Sequence, residues 1–134
     1  MDDGRSPVEA TGGVPVVAAP EELDITSAPR LEPALAEAAA KGHGRFVVDM
    51  SRTRFCDSAG LHVLLAARNR AQADGGDLVV AIGGEAVLRL FEITGADGLI
   101  RHFASLEEAL AQASADGPGP AGQRSAGWLD ADAR

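Results

Sequence analysis

The segment that most constrains this chain is residues 46–65, FVVDMSRTRFCDSAGLHVLL, where an apolar run passes through a polar turn into a helical pattern. Residues 46–50 are almost continuously apolar, which is typical of a strand covered on both faces. Asp57 is a favourable N-cap, and leucines at helical spacing follow it, so a helix is predicted to begin there. Ser58 therefore lies at a helix N-terminus, where unpaired backbone N–H groups tolerate an anion.

The remainder of the chain alternates strands and helices in the same way. Strands are predicted at residues 14–19, 78–82 and 99–103, with a weak strand around residues 7–11. Helices are predicted after residues 24–27, after 83–84, and from a capping-box pattern at 105–108 to about residue 113. This order predicts an α/β single domain with a four- to five-stranded mixed, mainly parallel sheet packed with about four helices. Function collects at the carboxyl ends of such strands, where the turn before Ser58 lies.

Two prolines constrain the first half of the chain. Pro15 cannot donate to a sheet ladder, so its strand is expected at a sheet edge. Pro33 lies inside the first helical pattern, where it removes an N–H and crowds the preceding turn. The helix is therefore expected either to start late, near Glu32, or to have distorted first turns. The hydroxyls of Thr26 and Ser27 are expected to act as its N-caps.

The chain divides into three parts by composition. Residues 1–13 form an N-terminal arm, and residues 14–113 form the domain. Residues 114–134 are rich in proline and glycine, and we expect them to be disordered because they cannot bury enough apolar surface.

Charge and composition exclude several classes of protein. With 134 residues, a formal net charge of −8 and only 4% aromatic residues, the chain has neither the excess of cationic side chains nor the stacking groups expected of a nucleic-acid binder. No apolar run reaches the roughly 18 residues needed to cross a membrane, and the acidic N-terminus is unlike a secretory signal. The single cysteine, Cys56, excludes an internal disulfide framework. We expect a cytoplasmic protein that is monomeric alone, with no cofactor and no metal ion.

The helix start contains a short motif, Asp57-Ser58-Ala59-Gly60-Leu61. Glycine in a first turn costs roughly 0.5–1 kcal/mol of helix stability, which indicates that something approaches Gly60 closely. In its strand–helix context the motif resembles the phosphorylation segment of bacterial anti-sigma-factor antagonists, which are STAS-domain proteins. Further similar pieces are residues 22–29, 90–95 and 105–110, so the resemblance covers roughly residues 14–113.

The resemblance implies a switch in which partners are exchanged. An unphosphorylated antagonist binds an anti-sigma factor that is itself a serine kinase, and the sigma factor is released. The kinase, using the ATP it binds, phosphorylates the serine that matches Ser58, and a serine phosphatase reverses the step. The resemblance makes the chain a kinase substrate and binding module and not an enzyme. The residues predicted to form the partner-binding surface and the environment of the phosphorylation site are Asp24, Thr26, Asp57, Ala59, Gly60 and His62.

A serine hydrolase is one alternative, with Ser58 as nucleophile, His62 as base and Asp57 or Asp24 as the orienting acid. A nucleophile elbow has glycine two residues before and two after the serine. Gly60 satisfies the second position, but Cys56 occupies the first. A histidine one turn along the same helix also leaves little room for a substrate carbonyl.

A nucleotide-binding protein is a second alternative. The glycine pairs at residues 75–76 and 83–84 do not form a dinucleotide-binding or phosphate-binding loop pattern, and Lys41, the only lysine, lies near neither pair. We interpret both pairs as turns.

The third alternative is a protein with the same fold that is not the substrate of a kinase. STAS domains also serve as scaffolds or sensor modules whose serine is not phosphorylated. The intact Asp57-Ser58 pair favours the antagonist over such a module.

Overall fold

The computed structural model describes residues 8–11 and 13–116. The strands are β1 (Val8–Thr11), β2 (Val14–Ala18), β3 (Glu22–Leu23), β4 (Arg45–Met50), β5 (Phe55–Cys56), β6 (Asp77–Ile82) and β7 (Arg101–Phe103). The helices are α1 (Ala28–Lys41), α2 (Ser58–Ala73), α3 (Glu85–Thr94) and α4 (Leu106–Asp116), with a 3-10 helix at Ala96–Gly98. Five strands form one sheet in the order β1-β2-β4-β6-β7, while β3 and β5 pair in a small separate sheet.

The main sheet is parallel from β2 to β7, and only β1 is antiparallel to its neighbour. The predicted fold class is therefore confirmed, including a first strand within the weakly predicted segment. The two faces of the sheet are buried against different helices. Along β4, the side chains of Phe46, Val48 and Met50 join the core beneath α1, α2 and α3. Val47 points to the other face, where Ala109 and Ala113 of α4 cover it.

Burial on both faces accounts for the uninterrupted apolar runs in β4 and β6. In β6, all five residues from Leu78 to Ile82 are buried. A strand with only one buried face alternates apolar and polar residues, whereas a strand between two helical layers does not. In the described part of the chain, α1, α2 and α3 thus cover one face of the sheet, and α4 covers the other.

The expectation that the strand containing Pro15 lies at a sheet edge is wrong. Strand β2 lies between β1 and β4. Pro15 pairs with Ala10 of β1, and the parallel register with β4 begins one residue later, at Val16 opposite Val47. The missing N–H therefore lies beyond the end of the β4 ladder and removes none of its pairing.

Of the two outcomes expected for the first helix, a late start near Glu32 or distorted first turns, the late start is wrong. Helix α1 begins at Ala28, with a proline in its first two positions, and it continues through Pro33. Proline is favourable in the first turn because those N–H groups have no intrahelical acceptor. Pro33 deprives the Pro29 carbonyl of its helical donor, but both prolines are exposed, so water can bond to that carbonyl.

The last helix extends to Asp116, three residues beyond the predicted end. It thus includes the first residues of the predicted tail, and residues 117–134 lie outside the described part of the chain. The capping box is half formed. Ser105 Oγ accepts from the Glu108 N–H at 3.1 Å, whereas the Glu108 carboxylate accepts from the Ala104 N–H and not from Ser105.

The small sheet positions the start of α2. It pairs Glu22 with Phe55 and Leu23 with Cys56 in parallel. Two-residue strands are too short to show periodicity, and neither was predicted. Their pairing brings the loop of residues 24–27, called here the 24–27 loop, beside the residue that precedes Ser58.

Candidate functional site

Ser58 is the first residue of α2, and its side chain is exposed. Asp57 precedes it in extended conformation and occupies the N-cap position. The Asp57 carboxylate Oδ1 accepts a hydrogen bond from the Gly60 N–H at 3.1 Å. The predicted cap is therefore present, and it leaves the Ser58 hydroxyl facing solvent beside the positive end of the helix.

The 24–27 loop is tied to Asp57 through both backbone and side chain. The Asp57 N–H donates to the Leu23 carbonyl at 3.1 Å. The second carboxylate oxygen of Asp57, Oδ2, accepts from the Ile25 N–H at 3.2 Å. The structure thus brings the loop that carries Asp24 and Thr26 next to the Asp57-Ser58 pair, although about thirty residues separate them in sequence.

Asp24 organises the loop internally. Its Oδ1 accepts from the N–H groups of Ser27 and Thr26, each at 3.0 Å. Donation from the Ser27 backbone, followed by that from Thr26, lowers the pKa of the Asp24 carboxyl below its ordinary value. Ser27 occupies the N-cap position of α1 without capping it through its side chain. Its hydroxyl donates instead to the Glu22 carbonyl at 2.7 Å, so the expectation of a hydroxyl cap is wrong.

A shallow open groove of ≈ 480 Å³ runs between the N-terminal halves of α1 and α2. Ser58 lies in its lining, together with Ala59 and His62 from the predicted set. The complete lining is Ile25, Ala28, Pro29, Glu32, Ser58, Ala59, His62 and Val63. The groove is mostly apolar, and His62 and Glu32 supply its ionisable side chains.

Gly60 is buried, and its role is one of internal packing. A Cβ at this position would lie 2.6 Å from Leu23 Cγ and 2.7 Å from the Leu23 carbonyl oxygen. The close approach that the glycine indicated is therefore made by β3. Gly60 allows the small sheet to contact the first turn of α2, and it acts on the site through that contact.

Ile25 is an exposed residue of the groove lining that the sequence prediction did not single out. Its side chain is 74% exposed, at the tip of the 24–27 loop and in the lining of the groove. The feature of the sequence that could have indicated it is an isoleucine between two polar turn residues, Asp24 and Thr26. A large apolar side chain in such a turn, without an apolar partner at helical or strand spacing, is a candidate for contact with another molecule.

Cys56 lies behind the site and is buried in the core. Burial, followed by the negative charge of Asp57, raises the pKa of its thiol to about 11. The thiol is therefore protonated at neutral pH and behaves as a small apolar side chain. Arg54, in the turn before β5, has its guanidinium 4.0 Å from the Glu21 carboxylate, and both side chains are exposed.

Among residues 8–11 and 13–116, no group of three or more His, Cys, Asp or Glu side chains could hold a metal ion. Within the same ranges, every helix is too short or too polar to cross a bilayer.

Comparison with known proteins identifies the family. The STAS-domain family model matches residues 5–109. The chain belongs to the STAS-domain family. The resemblance found in the residues around Ser58 is thereby confirmed, and so is its implication of a regulatory, non-enzymatic domain.

Relatives within the STAS family include named antagonists. The anti-sigma-F factor antagonist RsfB of Mycobacterium tuberculosis is 33% identical over 98 residues, which cover 73% of this chain and 80% of RsfB. The crystal structure of an anti-sigma factor antagonist from Mycobacterium paratuberculosis superposes with a TM-score of 0.73 at 31% identity, covering 81% of this chain and 92% of that one. The Bacillus protein SpoIIAA in its phosphorylated form shares the fold, with a TM-score of 0.60 at 20% identity, over 80% of this chain and 97% of SpoIIAA.

Proposed function

We propose that this STAS domain is an anti-sigma-factor antagonist switched by phosphorylation of Ser58. In the unphosphorylated state it binds an anti-sigma factor that is a serine kinase, in the cytoplasm, and so releases a sigma factor. The kinase transfers a phosphoryl group from its bound ATP to Ser58, and a serine phosphatase removes it. The names of the relatives support the antagonist role.

The observation that carries the proposal is the placement of Ser58. Its hydroxyl is exposed, it opens a capped helix, and it lies in an apolar groove large enough to receive partner side chains. A kinase can reach such a hydroxyl without unfolding the domain. A partner seated in the groove would cover the same hydroxyl, so that one residue lies in both the binding surface and the modified site.

The phosphoryl group acts on the complex more than on the fold. It adds about −1.5 to −2 charges at neutral pH. The N-terminus of α2 returns about 0.3–1 kcal/mol to an exposed anion, while the neighbouring Asp57 carboxylate repels it. In a packed interface the same charge must be desolvated against a surface that fits a neutral hydroxyl. A loss of about 3 kcal/mol there weakens binding by roughly a hundredfold.

Pull-down from extracts of the native cell tests the proposal. The baits are the wild type, Ser58→Ala and Ser58→Glu, and half of the samples receive ATP. Ser114→Glu is the matched control, because Ser114 is an exposed serine on α4, across the sheet from the groove.

We expect the wild type, Ser58→Ala and Ser114→Glu to retain an anti-sigma factor with a kinase domain, and Ser58→Glu to lose it. ATP should release only the baits that carry an intact Ser58, and the released protein should gain the mass of one phosphoryl group. Retention by all four baits, with or without ATP, would favour a scaffold or sensor module over the antagonist.

A further inference from the structure

The carboxylate of Asp57 joins two separate elements of the site. Its Oδ1 caps α2 through the Gly60 N–H at 3.1 Å, and its Oδ2 accepts from the Ile25 N–H at 3.2 Å. An N-cap needs only the first of these bonds. The second serves no element of secondary structure, because Ile25 lies between the end of β3 and the start of α1.

The hydrogen bond from the Ile25 N–H to Asp57 fixes a part of the 24–27 loop that the bonds to Asp24 do not fix. Asp24 accepts from the N–H groups of Thr26 and Ser27, which braces the two residues after Ile25. The Ile25 N–H is directed to Asp57 instead. Since the side chain of Ile25 is 74% exposed, packing against the domain holds it only loosely. The position of this side chain therefore depends on the Asp57 carboxylate.

Ile25 and Ser58 line the same groove, one from the loop and the other from α2. An exposed isoleucine on a braced loop is a suitable apolar anchor for a partner. Fixing such a side chain before binding reduces the ordering cost that the complex would otherwise bear. One carboxylate, that of Asp57, is thus bonded both to the loop that carries Ile25 and to the first turn of the helix that begins with Ser58.

We propose that Asp57 is a positioning residue that holds Ile25 as an apolar anchor for an aliphatic side chain of the partner. This inference rests on the proposed function for its partner, the anti-sigma factor. Asp57 itself need not touch that partner. Its contribution to binding passes through Ile25, so substitutions of the two residues should not have independent effects on affinity.

The first arm of the test needs no partner. In Asp57→Asn the amide oxygen can still cap Gly60, because asparagine is a good N-cap, but its NH₂ group faces the Ile25 N–H as a second donor. We expect solvent exchange of the Ile25 amide, measured by NMR, to accelerate by at least about fivefold, since its acceptor is lost. The Gly60 amide should change by less than about twofold.

Asp49→Asn is the matched control. Asp49 is the penultimate residue of β4, and its Oδ1 accepts from the Ser51 N–H at 3.0 Å. It should leave the exchange of both amides unchanged. Unchanged exchange at Ile25 in Asp57→Asn, with the fold intact by circular dichroism, would overturn the positioning role.

The second arm is a double-mutant cycle in affinity for the purified anti-sigma factor retained by the Ser58→Ala bait. We expect Ile25→Ala to weaken binding by at least about tenfold, as anchor residues do, and Asp57→Asn to weaken it by a smaller factor. In the Ile25→Ala background, Asp57→Asn should have no further effect. Equal factors in both backgrounds would overturn the inference.

The two proposals fail in distinguishable ways. If Ser58→Glu binds as tightly as the wild type while the cycle is non-additive, the switch is wrong and the positioning role stands. If Ser58→Glu loses binding while the cycle is additive, the switch stands and the positioning role is wrong. If no anti-sigma factor binds to any variant, the proposed function fails and the amide arm alone decides whether Asp57 holds Ile25.

Discussion

The starts of α2 and α4 are both capped by a polar side chain, yet they differ in what the cap reaches. Ser105 caps α4 at 3.1 Å, and the Glu108 carboxylate returns to Ala104, so every bond stays within five residues. Asp57 caps α2 at the same distance, but its other oxygen crosses to Ile25 in a different element. A local cap stabilises one helix, whereas a bridging cap also fixes a surface.

The largest loss of stability should come from a side chain at Gly60, which would fill the space that lets β3 contact the first turn of α2. Gly60→Ala places a Cβ against Leu23 Cγ and the Leu23 carbonyl oxygen, and the carbonyl cannot move without disturbing β3. We expect a loss of about 2–3 kcal/mol in the free energy of unfolding, as overpacked positions show. Urea denaturation measures it.

Gly98→Ala is the matched control for that substitution. A Cβ at Gly98 meets nothing within 4 Å, and its φ is not positive. The change should leave stability within about 0.5 kcal/mol of the wild type. If Gly60→Ala were as well tolerated as Gly98→Ala, the contact between β3 and α2 would not be as close as described.

The two N-caps, Ser105 and Asp57, should differ by a smaller amount in the stability that each contributes. Ser105→Ala should cost about 1 kcal/mol, the usual value for a lost N-cap. Asp57→Ala also removes the acceptor of the Ile25 N–H, so it should cost up to about 1 kcal/mol more. Denaturant titrations of both variants under the same conditions compare them. Equal losses would mean that the bond to Ile25 contributes nothing to the fold.

The smallest effects should appear in acid, where two carboxyl groups respond in opposite directions. Hydrogen bonds from the loop, first from the Ser27 backbone, lower the pKa of Asp24 below 3.8. Burial raises the pKa of Asp77, at the start of β6, above 3.8 despite a bond from the Leu78 backbone and the nearby Arg101. Asp24 therefore contributes stability that is present above the unfolded pKa and is lost as pH falls through the folded value.

The Asp77 carboxyl changes stability with pH in the opposite direction. Its contribution is full below the unfolded pKa and is lost as pH rises through the raised folded value. Unfolding free energies between about pH 3 and 7 should show the wild type losing its advantage over Asp24→Asn on acidification. Over the same range, the free energy of unfolding of Asp77→Asn should increase relative to that of the wild type as the pH rises. A common slope for both variants would contradict these assignments.

The contrast between the two caps also explains what could be predicted from the sequence. The cap at Ser105, the cap at Asp57 and the apolar runs of β4 and β6 depend on neighbours in sequence, and all were predicted. Strands β3 and β5 have two residues each, which is too short for a period of two to be visible. Without them, nothing places the 24–27 loop beside α2.

The remaining errors also arise from tertiary context. Pro15 is tolerated inside the sheet because the β4 register starts one residue later, which no local pattern reveals. The glycine motif correctly indicated a close approach at Gly60, but the approaching group is the protein's own β3. Ile25 was not singled out because what distinguishes it is its exposure in the groove beside Ser58, and exposure is a property of the folded chain.

Affinity and stability measured on the same phosphorylated sample show whether a phosphoryl group on Ser58 weakens the complex while the fold stays intact. The chain is prepared with phosphoserine at position 58 and without it, and each form is titrated into the purified anti-sigma factor by calorimetry. We expect roughly hundredfold weaker binding for the phosphorylated form, with a melting temperature within about 3 °C of the unmodified form. Equal affinities, or weaker binding accompanied by loss of the fold, would contradict this expectation.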